Sequence, residues 1–66
     1  MKFRILEELG DGDVPKISKA VISVDPDAKV DMDVRGHTVD VDSWLFPEEF
    51  VVAFNEVGYN VRIAQR

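Results

Sequence analysis

Asp11 and Asp13 stand two residues apart in the stretch Leu9-Gly10-Asp11-Gly12-Asp13, where two glycines let the chain bend sharply. Carboxylate oxygens at that spacing suit a hard divalent cation, and the single histidine, His37, would add a nitrogen ligand. The candidate metal site is therefore Asp11, Asp13 and His37. The plainer alternative is a helix cap within a solvated acidic loop, because Asp11-Gly12-Asp13 falls well short of a full calcium-loop pattern. Nucleophilic chemistry has little to draw on. Without cysteine, the hydroxyls are Ser18, Ser23, Ser43, Thr38 and Tyr59, and neither Ser18 nor Ser23 has a base placed beside it. Paired carboxylates acting as acid and base need a cleft that so short a chain does not offer. No catalytic residue is assigned, and the chain is not expected to be an enzyme.

A second group of residues is defined by charge. The outward positions of the strands carry Arg62, then Lys2 and Arg4, then Asp40 and Asp42, then Asp31 and Asp33 with Lys29. The simple role of such charges is cross-strand pairing that keeps an open sheet face hydrated. The sharper role is docking, with Arg4, Asp31, Asp33, Asp40 and Arg62 meeting a partner of complementary charge or a twofold copy of the same face. A third group, Trp44-Leu45-Phe46, is either a partner anchor or the floor of a small core. The core role is the expectation, since a domain of this size has few large residues to place elsewhere.

The elements that position these groups follow from periodicity. Residues 2–6 alternate, with Phe3 and Ile5 on one face, and predict a strand. Asp13-Val14-Pro15 opens a helix whose apolar stripe is Val14, Ile17, Ala20, Val21 and Val24, with Asp13 or a neighbour capping the free amides. Asp25-Pro26-Asp27 ends it. Residues 28–34 and 37–42 alternate on either side of Arg35-Gly36 and predict a hairpin. Pro47-Glu48-Glu49 starts a second helix with the stripe Phe50, Ala53, Phe54 and Val57, and Gly58 caps it. Residues 60–64 form a last strand. The order β-α-β-β-α-β, with right-handed crossovers, predicts an α+β ferredoxin-like two-layer sandwich. Its antiparallel sheet runs 4-1-3-2 with two helices on one face. In that topology the first loop, the hairpin turn and the turn before the last strand gather at one end. Glu8, Asp11, Asp13, His37 and Tyr59 are expected there, although the hairpin turn is placed two strands from the helix that follows the first strand.

Composition sets the limits. The 66 residues make a single domain, 1–66, and 45% of them are hydrophobic. A chain this short buries roughly 60% of the surface its unfolded form exposes. With no cysteine there is no disulfide, and Cu(I) binding by thiolates is excluded. The net charge of −5 is the wrong sign for phosphate contacts and for an anionic membrane surface, so neither nucleic acid nor membrane is expected. An acidic surface suits a protein partner of basic character. No signal peptide or membrane span is read, which points to the cytoplasm and to a monomer or weak homodimer.

Three segments carry a family resemblance. Val14-Pro15-Lys16-Ile17-Ser18-Lys19-Ala20-Val21, Ala28-Lys29-Val30-Asp31-Met32-Asp33-Val34 and Ala53-Phe54-Asn55-Glu56-Val57-Gly58-Tyr59 follow one another in order. Together they resemble the first helix, the second strand and the end of the second helix of heavy-metal-associated (HMA) domains, as in copper chaperones and metal-pumping ATPases. The resemblance implies heavy-metal binding or transport. That family carries M-x-C-x-x-C before its first helix. Counting back from Ala20, the cysteine positions fall on Gly10 and Asp13, and the methionine position on Glu8. Soft ions prefer sulfur and hard ions oxygen, so thiolate copper transfer does not carry over. Two readings remain: a divergent HMA-like protein that does not bind soft metals, with a divalent metal as the possible cofactor, and a protein–protein interaction module using the charged sheet face or the helices.

Overall fold

In the computed structural model, which describes residues 1–66, the strands and helices follow the order read from the sequence: β1 Lys2–Ile5, α1 Asp13–Val24, β2 Lys29–Asp33, β3 Thr38–Asp42, α2 Pro47–Glu56 and β4 Val61–Gln65. The sheet order β2-β3-β1-β4 is the predicted 4-1-3-2, and every adjacent pair is antiparallel. The two-layer ferredoxin-like sandwich is therefore present. Element ends differ from the expectation by a residue or so, with β1 stopping at Ile5, before the exposed Leu6.

Apolar alternation becomes a core because the sheet has only one covered face. Phe3 and Ile5 of β1 and Val39 and Val41 of β3 are buried against Ile17, Ala20 and Val21 of α1 and Phe50, Ala53 and Phe54 of α2. Phe3 is central. Its ring lies 5.2 Å from Phe54 in an edge-to-face arrangement and 6.3 Å from Phe50 in a tilted one, geometries that favour the ring quadrupoles. No helix is long and apolar enough to cross a membrane.

Two glycines have positions that other residues fill poorly. Gly58 has φ +95° and ends α2; its amide donates to Asn55 O at 3.1 Å and the Tyr59 amide to Phe54 O at 3.0 Å, which closes the helix and starts β4. Gly36 donates its amide to Asp33 Oδ1 at 3.0 Å, and a Cβ at this position would collide with the same carboxylate. His37 follows with φ 57° and belongs to the turn, so β3 begins at Thr38 and not at the 37 that alternation predicts. Histidine tolerates this left-handed conformation better than most residues.

Three expectations need correction. Asp13 does not cap α1: the N-cap is Gly12, without a side-chain bond, and the Asp13 carboxylate turns back into the loop to accept from the Gly10 amide at 2.8 Å. Val57 is not part of the buried stripe, because α2 ends at Glu56 and the chain then turns away. The Trp44-Leu45-Phe46 connector does not form the floor of the core. Only Leu45 packs against it; Trp44 is 85% exposed and Phe46 73%. The cause is a polar clamp beneath the connector. Asp25, the one buried charged residue, accepts from the Ser43 hydroxyl at 2.6 Å and from the Asp27 amide at 3.0 Å, while Ser43 Oγ accepts from the Leu45 amide at 3.1 Å. With Leu45 turned inward, its two neighbours project into solvent.

Candidate functional site

The loop between β1 and α1 is closed by its own polar groups. Asp13 donates its amide to Gly10 O at 3.0 Å and Val14 donates to Asp11 O at 3.3 Å. The Asp13 carboxylate accepts from the Gly10 amide through Oδ2 and from the Tyr59 hydroxyl through Oδ1. Glu7, just before the loop, accepts from the Asn60 amide at 2.8 Å and from Asn60 Nδ2 at 2.7 Å. Two carboxylates thus tie the exit of β1 and the start of α1 to the approach to β4.

These bonds set the protonation states. The phenol donated by Tyr59, followed by the Gly10 amide and the charge of Lys16, holds the Asp13 carboxyl below the usual aspartate range. The Asn60 bonds lower Glu7 in the same way. Burial of Tyr59, its bond to Asp13 and the negative charges of Asp13 and Glu7 push the phenol from 10.0 to about 12. Tyrosine is neutral in both the folded and unfolded states below its ordinary pKa, so its titration does not change stability there. Above pH 10.0 the unfolded chain releases the proton first, and the contribution is lost as pH rises through about 12. A pKa unit corresponds to about 1.4 kcal/mol, so stability is expected to fall by about 2–3 kcal/mol across that window. Tyr59→Phe is expected to cost about 1 kcal/mol at neutral pH and to remove that alkaline step. Urea unfolding of both proteins from neutral pH to pH 12 checks this. An unchanged alkaline slope in the variant would show that the phenol is not the group responsible. Because Tyr59 is the single tyrosine, its ultraviolet tyrosinate band reads the same titration directly.

The predicted metal residues are placed as follows. Asp11 is exposed at the loop tip, and Asp13 is engaged by Tyr59 and Gly10. His37 is half-buried in the hairpin turn, its carbonyl accepting from the Ile5 amide at 2.7 Å, so the turn lies beside the end of β1, nearer than expected. The structure does not gather Asp11, Asp13 and His37 into one ligand set, and no three His, Asp or Glu residues come together elsewhere. Gly10 offers no side chain and Asp13 an oxygen that is already engaged. The loop therefore does not fit a soft metal ion. Glu7 and Asn60 were not singled out from the sequence. A glutamate and an asparagine separated by so much chain carry no local signal, and only the pairing of β1 with β4 brings them together.

The open sheet face carries the predicted charges in the predicted strand order. Arg4, Arg62, Asp31, Asp33 and Asp40 are all exposed. Lys2 stands opposite Asp40 and Lys29 opposite Asp42, but Arg4 stands opposite Arg62 and Asp31 opposite Asp40. Like charges directly opposed destabilise a sheet. The one ion pair in the structure is Arg66–Glu48 at 2.7 Å, and none crosses this face. A shallow groove of about 310 Å³ lies at the acidic half, lined by Met1, Lys29, Asp31, Asp40 and Asp42 with Val30 and Val41.

Solved structures share this fold. This chain resembles a gold-binding protein at 27% identity, with a TM-score of 0.88 over 94% of this chain and 95% of that one. It matches the copper chaperone Atx1 from Synechocystis PCC6803 at 24% identity and a TM-score of 0.88, covering 94% of this chain and 98% of that one. A third, from work on crosstalk between Cu(I) and Zn(II) homeostasis, has 22% identity and a TM-score of 0.87 over the same shares. No family model and no curated protein matches the sequence. The chain thus has the HMA-like ferredoxin fold seen in metal-homeostasis proteins. Unlike a protein that uses that fold's thiolates, it contains no cysteine.

Proposed function

We propose that this chain is a divergent HMA-like protein of metal homeostasis that does not carry soft metals and acts by docking to another protein. The observation that carries the reading is the fate of the two cysteine positions. One is Gly10 and the other is Asp13, whose carboxylate is bonded to the Tyr59 phenol and the Gly10 amide. A metal-transfer loop must release its ligands to pass the ion on; this loop uses the carboxylate at the second cysteine position to hold its own shape. Similarity to a gold-binding protein and to a copper chaperone supports a setting in metal handling.

Docking falls to the sheet face. Arg4 and Arg62 form its basic side, and Asp31, Asp33 and Asp40 its acidic side. A partner of opposite pattern relieves the like-charge pairs Arg4–Arg62 and Asp31–Asp40, which no internal ion pair offsets. The second reading is a hard-metal site at Asp11, Asp13 and His37, favoured by the oxygen donors of the loop.

Titration of isotopically labelled protein with Cu(I), Zn(II), Ni(II), Mn(II) and Ca(II), followed at each backbone amide, separates these readings. The expected result is no saturating change, with any broadening spread over the acidic residues. Changes confined to residues 10–14 and complete at one equivalent would replace the docking reading with metal binding.

A further inference from the structure

The connector between β3 and α2 is the end of the molecule opposite the β1–α1 loop, and the charged sheet face does not account for its two large exposed rings. Trp44 is 85% exposed and Phe46 73%, against complete burial of Phe3, Phe50 and Phe54. The chain therefore leaves two of its six aromatic side chains outside a core that is short of large residues. They are not loose. The Asp25–Ser43–Leu45 clamp fixes the segment from one side, and Glu49 accepts from the Phe46 amide at 3.1 Å on the other. A backbone already held in position loses little entropy on binding.

The surroundings define what can bind. Asp42 immediately precedes the segment at the end of β3, Asp27 lies in the turn held by Asp25, and Glu49 lies at the start of α2; all three are exposed. Of the cations at this end, Arg66 is engaged by Glu48 at 2.7 Å, the N-terminal ammonium donates to Val41 O at 3.0 Å, and Lys29 stands opposite Asp42. Asp27 and Glu49 are in no ion pair, so the apolar pair has an acidic rim that Lys29 offsets only at Asp42. We infer that Trp44 and Phe46 anchor a cationic segment of a partner protein, with apolar side chains on the rings, and Arg or Lys groups facing Asp27, Asp42 and Glu49 or stacked on the indole. A guanidinium or ammonium gains both from the carboxylates and from the face of the tryptophan ring. The acidic rim opposes an anionic lipid surface. It also opposes a second copy at this same end, which would bring two acidic rims together.

Trp44 is the single tryptophan, so its emission reports this site alone. The probe is a short peptide alternating arginine with leucine, titrated into the full chain at low salt. The expected result is a saturating blue shift as the indole leaves water, weakened by salt. Phe46→Ser, which keeps the reporter and alters an exposed position, is expected to weaken binding about tenfold. Asp42→Asn with Glu49→Gln is expected to remove most of the salt dependence, the glutamine still accepting from the Phe46 amide. Four results would overturn the inference: no shift with the arginine peptide, an equal shift with a glutamate–leucine peptide, a shift with phosphatidylcholine vesicles, or a shift on concentrating the protein alone. The last two would assign the rings to lipid or to a second copy. Because the metal titration reads residues 10–14 at the opposite end, either proposal can fail while the other stands.

Discussion

Phe54→Ala is expected to leave the domain largely unfolded at room temperature. Phe54 is fully buried, and its ring meets Phe3 edge-to-face at 5.2 Å. Removing a buried phenylalanine side chain costs about 3–5 kcal/mol, from lost transfer free energy and from the cavity left behind. A core of this size rarely supplies more than about 3–5 kcal/mol of net stability. No disulfide holds the chain if that margin is lost. Loss of amide dispersion in the NMR spectrum and of the cooperative thermal transition would show it. Val52→Ala, on the exposed side of α2, is the control expected to change stability by under about 0.5 kcal/mol. A cooperative melt for Phe54→Ala within a few degrees of the parent would mean that the aromatic cluster does not hold the two layers together.

The second large effect is a gain. Gly10→Cys combined with Asp13→Cys is expected to change Cu(I) binding from none detectable to one equivalent, read by competition with a chromogenic Cu(I) chelator. Space permits the exchange: a Cβ at Gly10 meets only the Asp13 carboxylate, at 3.9 Å, and that group is removed in the variant. Thiolates are the ligands a soft ion prefers, and the parent supplies oxygen from a carboxylate engaged elsewhere. The exchange also removes the acceptor of the Tyr59 phenol, so Tyr59→Phe is added in a second version to leave no unpaired buried hydroxyl. A folded variant that competes no better than the parent would show that this backbone is not a metal-carrying loop waiting for sulfur. The docking proposal would then rest on the sheet face alone.

Core and loop are two consequences of the same architecture. The phenylalanine cluster makes one side of the sheet a core, which leaves the other side to charge. The loop lies at an edge between them, where β1 passes into α1. In this chain Glu7, Asp13, Tyr59 and Asn60 close it through carboxylates. The same constellation sets a pH range for the loop. Asp13 and Glu7 are held below their ordinary values, so their bonds persist above the usual carboxylate range and fail only as pH falls through those lowered values; Tyr59 fails at the alkaline end.

The order and faces of the elements were legible in the residues themselves. Alternation in 2–6, 28–34 and 37–42 and the helical stripe of Ile17, Ala20 and Val21 are local periodicities, and each survives in the structure because burial on one face enforces it. Pro47 and Gly58 marked the ends of α2 through their own backbone chemistry. The strand order followed from connection rules, and with it the charge pattern on the open face. What the sequence could not reveal were partnerships between residues distant along the chain. Asp13 reads locally as a helix cap, yet its carboxylate is claimed by Tyr59, 46 residues on. Trp44 and Phe46 read as core because they are large and apolar, yet the buried Asp25 grips Ser43 and turns Leu45 inward in their place. Hydropathy is a property of one residue, whereas burial is decided by which of several competing side chains finds its polar neighbours satisfied. That choice is made only when α1, the connector and the sheet are packed together.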